Sequence, residues 1–185
     1  MGKLILVPTP IGNIEDISNR GKQCISNAVK VLSEDTRVTG KLMKLLGLKV
    51  KLESFHMHNE HSKLNQVVEN IKNNDLDTVL VCDAGTPGIS DPGYLLVRKC
   101  IQEEVLVEAL PGPTALIPAL VGSGFPSDRF IFDGFLPLKK GRKSRISEWQ
   151  HEKRTIIFYE SPHRLMKCLK EMKEQLGGDR SICVA

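Results

Sequence analysis

Short apolar runs that favour β-strands alternate with amphipathic helical patterns along almost the whole chain of 185 residues. Residues 78–82 (TVLVC) have the strongest strand pattern, while Leu64, Val67 and Ile71 recur at helical spacing. The predicted strands in the first part of the chain are residues 4–7, 31–32, 50–54, 78–82 and 105–109. Regular β-α alternation predicts an α/β fold, in which a mostly parallel sheet carries helices on both faces.

The same alternation restarts after residue 123. RFIFDGF, TIIFY and SICVA are predicted strands, and the segments KSRISEWQ and 162–176 are predicted helices. The pattern therefore predicts a first α/β domain over residues 1–123 and the start of a second α/β domain over residues 124–185. Because the second domain stops on its third predicted strand, we expect it to be incomplete.

The composition is that of an ordinary globular protein with a small excess of positive charge. The 26 basic and 22 acidic side chains give a formal net charge of +4, so the distribution of charge matters more than its total. The most apolar stretch, LVEALPGPTALIPALVG, contains Glu108 and three prolines and predicts no membrane span. Five cysteines without a CxxC spacing are typical of reduced thiols, so we expect a cytoplasmic protein.

Five polar segments each follow a predicted strand of the first domain. They are PTPIGN, SEDTR, FHMHNEH, DAGTPGISDPG and PGPTA. Ligands of parallel α/β sheets bind at the carboxyl ends of the strands, so we expect all five segments to lie along one edge of the sheet. We call this edge the carboxyl edge, and it is the predicted site.

The long segment DAGTPGISDPG, residues 83–93, is the most informative of the five. Its three glycines permit positive φ and a close approach of the backbone to a ligand, and its two prolines stiffen the loop. Pro92 is expected in the first turn of the next helix, and Thr114 of PGPTA either caps a helix or helps to bind a ligand. No GxGxxG follows the first strand and no GxxxxGK[ST] is present, which excludes a standard dinucleotide site and a P-loop.

The segment FHMHNEH, residues 55–61, has the density of imidazoles found in zinc hydrolases. Such a site needs further His and Asp ligands downstream, and the only other histidines are His151 and His163. We therefore expect no metal.

Two further motifs lie in the predicted second domain. KKGRKSR has five basic residues in seven, which fits either a solvated helix start or a phosphate-binding patch. Basic residues in a first helical turn oppose the helix dipole, and this mild conflict favours the patch. ESPHR follows the strand TIIFY and brings Glu160, His163 and Arg164 to the end of that strand.

Together these motifs resemble the ribosomal RNA small-subunit methyltransferase I family, which has the tetrapyrrole methylase fold of class III S-adenosylmethionine (SAM) methyltransferases. The matching segments are LVPTPIGNIEDIS, SEDTR, FHMHNEH, VCDAGTPGISDPG, ALPGPTAL, GFLP, KKGRK and FYESPHR, which cover essentially the whole chain. The resemblance implies two α/β domains with SAM in the cleft between them, and a homodimer. It also implies methyl transfer to the ribose 2′-hydroxyl of a cytidine in 16S rRNA of the small ribosomal subunit, near the decoding centre.

The resemblance also implies roles for individual residues. The expected cofactor contacts are Ile11, Ala84, Gly85, Thr86, Ile89, Thr114, Ala115 and Glu160. The expected contacts with RNA phosphates are Arg37, Lys139, Lys140, Arg142, Lys143, Arg145 and Arg164. Two departures from the family pattern stand out. Met57 replaces an acidic residue between the first two histidines, and the chain stops at SICVA where family members continue.

Methyl transfer from a sulfonium is an in-line displacement that requires no metal, but a general base helps to deprotonate a ribose hydroxyl. The candidate catalytic residues are His58, Glu60 and Asp35, with Glu34 and Glu160 as further candidates for the base. Two alternatives remain open, a small-molecule or tetrapyrrole methylase of the same fold and a non-catalytic RNA-binding protein. The basic segment argues against the small-molecule methylase, because a compact porphyrin precursor needs no extended basic face.

Overall fold

The computed structural model describes residues 2–185. Two compact units divide the chain between Thr114 and Ala115. The predicted boundary after residue 123 differs from this division by one helix, Leu116–Ser123. That helix packs against strand Thr155–Tyr159, and this contact groups it with the second unit.

The first unit is a five-stranded parallel sheet with helices on both faces, which confirms the predicted α/β fold. The strands are β1 (Leu4–Leu6), β2 (Lys30–Ser33), β3 (Leu52–Ser54), β4 (Thr78–Val81) and β5 (Val107–Ala109). The helices are α1 (Asn19–Asn27), α2 (Thr36–Leu45), α3 (Glu60–Lys72) and α4 (Tyr94–Gln102), with a 3₁₀ turn at Ile14–Asp16. The strand order is β3-β2-β4-β1-β5, and every neighbouring pair is parallel.

Alternate strand residues point to opposite faces of this sheet and build two cores. Leu6 and Leu80 face α3 and α4, whose Val67, Ile71 and Leu96 pack against them. The opposite core contains Ile5, Val31 and Val79 together with Ile25 of α1 and Met43 of α2. Each fully buried Val, Leu or Ile contributes roughly 1.5–3 kcal/mol to the free energy of folding. A register slip of one residue would exchange the two faces, so these cores fix the register of the strands.

One predicted helix start is wrong, and one of the two alternatives for Thr114 is excluded. Helix α4 begins at Tyr94 rather than near Pro92, because Gly93, with φ of 132°, turns the chain at its N-cap. Helix α5 (Leu116–Ser123) has Ala115 at its N-cap and no side-chain cap, so Thr114 does not cap it.

The second unit is smaller and packs two strands against two helices. Strands β6 (Phe130–Phe135) and β7 (Thr155–Tyr159) are parallel, and helices α6 (Arg142–Glu148) and α7 (Leu165–Leu176) pack with Ile146, Trp149 and Met172 in the core. Two 3₁₀ turns lie at Trp149–His151 and Pro162–Arg164. The predicted strand at residues 181–185 is wrong, since these exposed residues pair with neither β6 nor β7 in the described chain. Within residues 2–185 no helix has the length and apolarity needed to cross a bilayer.

Candidate active site

The five polar segments of the first unit lie at the same edge of its sheet. Since every strand runs in the same direction, the carboxyl ends of β1 to β5 all meet the carboxyl edge. The prediction that the segments share this edge is confirmed. The segments after β1, β4 and β5 lock together, and those after β2, β3 and β4 surround a cavity.

The loops after β1, β4 and β5 are joined by direct hydrogen bonds. The backbones of Thr9 and Gly85 exchange two bonds, of 2.8 and 3.0 Å between N and O. The Thr9 hydroxyl donates to the carbonyl of Cys82 at 3.0 Å, and the Thr86 hydroxyl donates to the carbonyl of Pro113 at 2.9 Å. These bonds hold three separate loops in one fixed arrangement.

Two glycines permit this close packing. Gly85 has φ of 92°, a conformation that residues with a side chain rarely adopt. A Cβ at Gly112 would lie 2.8 Å from the Cβ of Pro8, which is too close for two non-bonded carbons. The loops after β1 and β5 therefore approach to a distance that only glycine allows.

The expected cofactor residues of the first unit lie on or beside these locked loops. Ile11 and Ile89 are apolar yet 39% and 37% exposed, and Ala84 is exposed beside them. A Cβ at Gly85 would meet the Ile11 side chain at 3.6 Å, so the missing side chain leaves a small recess. The remaining expected residues are Thr86, whose hydroxyl is already bonded, Thr114 at the end of the first unit, and Ala115 and Glu160 in the second.

A polar cavity of about 410 Å³ opens between the loops after β2, β3 and β4. Its lining residues are Glu34, Asp35, Thr36, Arg37, Ser54, His56 and Asp83. The backbone N–H of Asp35 donates to Asp83 at 3.1 Å, which joins the loop after β2 to the loop after β4. Sequence reasoning missed Ser54, His56 and Asp83 as site residues. The available signal was their position at the carboxyl ends of strands: Ser54 is the last residue of β3, and His56 and Asp83 lie two residues beyond β3 and β4.

The pKa values of two neighbouring carboxylates in the cavity are shifted in opposite directions. Hydrogen bonds from the Arg37 side chain and backbone hold the pKa of Asp35 well below its usual range. Burial raises the pKa of Glu34, and the negative charges of Asp91, Asp83 and Asp35 raise it further. Burial is also the main cause that raises the pKa of Asp83 and of Asp91. Glu34 is consequently the stronger proton acceptor, although Asp35 was the preferred candidate from sequence.

The histidine segment forms a tight turn that sends its side chains in different directions. The Asn59 side chain accepts from the N–H of His56 at 2.8 Å and donates to the carbonyl of Ser54 at 3.3 Å. His56 lines the cavity, and its buried Nδ1 has no hydrogen-bond partner within the described residues. His58 is exposed and contacts the His56 ring edge-on, with 5.9 Å between centroids. The imidazole in the cavity wall is therefore that of His56, not that of the predicted His58. Met57, between them, is 64% exposed.

Glu60 is buried and makes a structural contact. It occupies the first position of α3, is 6% exposed, and accepts from the N–H of Gly93 at 3.1 Å. Gly93 is the N-cap of α4, and its N–H is the donor that a Glu or Gln at the third helical position would bind in a capping box; Leu96 holds that position here, and Glu60 supplies the acceptor from a neighbouring helix. This contact occupies the carboxylate that was predicted to be catalytic.

Within residues 2–185 no group of three or more His, Cys, Asp or Glu side chains is arranged to hold a metal ion.

In the second unit the two sequence motifs meet through a buried ion-pair network. Arg142 of KKGRKSR contacts Glu160 of ESPHR at 2.9 Å and Glu171 at 2.6 Å between nitrogen and oxygen. Glu160 also forms an ion pair with Arg164, at 2.9 Å between nitrogen and oxygen, and accepts a hydrogen bond from the N–H of Ser161 at 2.8 Å. Burial alone would raise the pKa of Glu160, but the N–H and the two guanidinium groups outweigh it and lower the pKa.

This network changes the expectation for two residues. The side chains of Arg142 and Glu160 are only 7% and 4% exposed. That Arg142 binds an RNA phosphate stays a prediction, and its guanidinium is enclosed and already paired in this arrangement. The side chain of Glu160 is likewise committed to its donors, so a contact with a cofactor would have to come from its backbone.

The other predicted RNA-binding residues differ in how free they are. Lys139, Lys140 and Lys143 are exposed and form no salt bridge within the described chain. Arg145 pairs with Glu148 and lies 3.7 Å from Asp133, while Arg164 and Arg37 pair with Glu160 and Asp35. Of the predicted RNA-binding residues, all within the described chain, the three lysines alone present an unshared positive charge.

Comparisons with known proteins agree with this architecture. A sequence model of the family described as Tetrapyrrole (Corrin/Porphyrin) Methylases matches residues 3–185. Two similar proteins are each named Ribosomal RNA small subunit methyltransferase I. The Vibrio cholerae protein is 48% identical over 98% of this chain and 63% of its own length, and the Thermotoga maritima protein is 42% identical over 100% and 82%.

This chain thus spans less than two thirds of the Vibrio cholerae relative. Among solved structures, the uroporphyrin III C-methyl transferase of Thermus thermophilus is similar in fold, with a TM-score of 0.65 and 19% sequence identity. The similarity covers 96% of this chain and 78% of that one. The match over residues 3–185 and the shared fold show that the chain belongs to the tetrapyrrole methylase family.

Proposed function

We propose that this chain acts in an SAM-dependent methyltransferase that modifies the ribose 2′-hydroxyl of a cytidine in 16S rRNA. The observation that carries the proposal is the division of the carboxyl edge into two parts. Locked loops with exposed apolar side chains follow β1, β4 and β5, and a carboxylate-lined cavity follows β2, β3 and β4. The names of the curated relatives support rRNA as the substrate.

The locked loops fit a nucleoside cofactor. The recess at Gly85, bordered by Ile11, leaves space against the backbone that a side chain would fill. Ile89 adds apolar surface, and Ala84 adds exposed backbone. These residues would hold SAM, which supplies an electrophilic methyl group on a sulfonium.

The cavity supplies the residues for handling a proton. A positioned general base contributes typically 10²–10⁴-fold to such a reaction. Glu34 is the best candidate of the five, because its pKa is raised and it lines the cavity. Asp35 is held by Arg37, Glu60 is bonded to Gly93, Glu160 lies in a salt-bridge network and His58 points outside the cavity. His56 would orient the ribose or the base.

The exposed lysines Lys139, Lys140 and Lys143 would contact phosphates of the rRNA. A homodimer in the cytoplasm, without a bound metal, remains our prediction from the family resemblance.

Two binding measurements test the proposal. Calorimetry with SAM should show binding by the wild-type chain, and a small-subunit rRNA fragment should bind with an affinity that falls steeply as salt rises. Binding of SAM without binding of RNA would favour a small-molecule methylase of the same fold. Binding of RNA without SAM would favour a non-catalytic RNA-binding protein.

A further inference from the structure

One stretch of the first unit concentrates positive charge. Between Thr36 and Leu52 the sequence has five basic residues and no acidic one. They are Arg37, Lys41, Lys44, Lys49 and Lys51. Their five charges exceed the formal net charge of +4 for the whole chain, so the rest of the chain is slightly negative. The bias is therefore local and is not a property of the average surface.

Helix α2 places most of this charge on one face. Arg37, Lys41 and Lys44 are spaced at i, i+4 and i+7 and are exposed, whereas Thr39 and Met43 face the core on the opposite side. Lys49 and Lys51, also exposed, continue the charge along the connection from α2 to β3. We call the four lysines at positions 41, 44, 49 and 51 the α2 lysines.

The α2 lysines are not paired with acidic side chains in the described chain. In the part of the chain that the structure describes, none of them forms a salt bridge, and Arg37 pairs only with Asp35. Other lysines of the same unit do form salt bridges, such as Lys30 with Glu53 and Lys99 with Glu103. A surface selected only for solubility usually mixes both signs. In this stretch the charge of the four lysines is unshared.

The position of the helix indicates the kind of partner. Arg37, in the first turn of α2, lines the cavity, and the helix then leads away from it for about 15 Å, at 1.5 Å per residue. A compact anion would be satisfied by one or two of these cations. A row of cations that starts at a cavity fits a polyanion, such as a nucleic-acid strand with one nucleotide in the cavity.

We propose that the α2 lysines bind the phosphate backbone of the RNA strand that carries the target nucleotide. This surface would be a second RNA contact, separate in sequence from the lysines at 139–143. The inference rests on the proposed function, because it names the path of the same substrate. Contacts of this kind are sequence-independent and sensitive to salt.

The test compares two variants that lose the same number of charges. The α2 variant carries K41Q, K44Q, K49Q and K51Q. The control carries R98Q, K153Q, K170Q and K173Q, four exposed cations that form no salt bridge in the described residues. The probe is a single-stranded fragment of small-subunit rRNA, and its affinity is measured over a salt series. Thermal melting by circular dichroism shows whether each variant folds.

Each lost phosphate contact reduces the steepness of log K against log salt by about 0.7 for a single strand. The slope of the α2 variant should therefore be shallower than that of the wild type by about 3. The control should keep the wild-type slope within a few tenths. A version with Lys→Arg at all four positions should also keep it, since the charge remains. An unchanged slope in a folded α2 variant would overturn the inference.

The failure of this inference can be told apart from failure of the proposed function. If the wild-type chain binds SAM and RNA but the α2 variant has the wild-type slope, the proposed function stands and the α2 surface does not. If the wild-type chain binds SAM but no RNA, both proposals about RNA fail. If the α2 variant has the shallower salt dependence and still binds SAM with unchanged affinity, the α2 lysines contribute to RNA binding and not to cofactor binding, as proposed.

Discussion

Glu60 accepts a hydrogen bond from the N–H of Gly93 at 3.1 Å and thereby joins the start of α3 to the start of α4. Glu60 belongs to the histidine segment and Gly93 ends the long glycine-rich segment, so one bond connects both motifs. A Cβ at Gly93 would lie 2.8 Å from the Leu80 side chain, so the close approach of this corner to β4 requires a glycine. The contact makes Glu60 a residue that positions the site.

Replacement of Glu60 separates a positioning role from a catalytic one. Glu60→Ala leaves the buried N–H of Gly93 without an acceptor, which costs about 1–3 kcal/mol. Glu60→Gln keeps an oxygen acceptor. We therefore expect Ala to raise the KM for SAM and lower the melting temperature, while Gln largely restores both. If Gln abolished kcat as fully as Ala does, Glu60 would be a general base.

Replacement of Glu34 tests the proposed proton acceptor. Glu34→Gln should lower kcat by about 10²–10⁴-fold and leave the affinity for SAM unchanged. Asp35→Asn is the comparison, and its kcat should fall less, because the low pKa of Asp35 makes it a weak base. Equal losses of kcat in the two variants would contradict this assignment.

The same Glu34 variant has a predicted effect on stability. Because the pKa of Glu34 in the folded state is raised above 4.5, its ionised form is less favourable in the folded than in the unfolded chain. The wild type thus gains stability as pH falls through the folded-state pKa towards 4.5. At neutral pH Glu34→Gln should melt at a higher temperature than the wild type, and the difference should vanish in acid. Denaturation at several pH values checks the sign.

The buried network of the second unit should be essential for its stability. Arg142→Ala removes the guanidinium that Glu160 and Glu171 share and leaves Glu160 with Arg164 as its remaining cation, and the loss of one partner of a buried pair costs about 3–5 kcal/mol. Lys143→Ala, at an exposed neighbour, should change stability by less than about 0.5 kcal/mol. Urea denaturation measures both.

Acid should also weaken this network. The pKa of Glu160 is lowered, so its stabilising contribution is present above the unfolded value of 4.5 and is lost as pH falls through the folded-state value.

The Arg142→Ala variant also tests the role of Arg142 in RNA binding. Wild-type stability together with weakened RNA binding in this variant would support the prediction that Arg142 binds an RNA phosphate.

Glycine substitutions test the locked loops. Gly85→Ala forces a side chain into positive φ and into the recess beside Ile11, so it should destabilise the first unit by about 1 kcal/mol or more and weaken SAM binding. Gly122→Ala is the matched control, since Gly122 lies in α5 with open space at its Cβ position. It should stabilise the helix by roughly 0.5–1 kcal/mol. Equal effects on SAM binding would argue against a cofactor site at Gly85.

The sheet was predicted well from the sequence, because the spacing of apolar residues and the order of strands and helices can be read from local segments. The strand pattern at residues 78–82 and the polar segments after each strand were enough to place all five segments on one edge. Details that depend on contacts between distant segments were not predictable. The choice of His56 over His58 depends on a turn held by Asn59, and the burial of Arg142 depends on Glu171 in a later helix.

The end of the chain shows a second limit of local patterns. SICVA has strand propensity, but a strand forms only beside a partner, and residues 181–185 have none in the described chain. Likewise, the count of basic residues at 139–145 could not separate the paired Arg142 from the free Lys143.

The most direct test of the central claim is methyl transfer itself. The chain is incubated with methyl-labelled SAM and 16S rRNA that lacks the modification, and the digested nucleosides are identified by mass spectrometry. We predict label in 2′-O-methylcytidine for the wild type and at least a hundredfold less for Glu34→Gln, at the lower end of the effect of a general base. Label on a base, or no label in the RNA when a parallel incubation with a porphyrin precursor does incorporate it, would contradict the account.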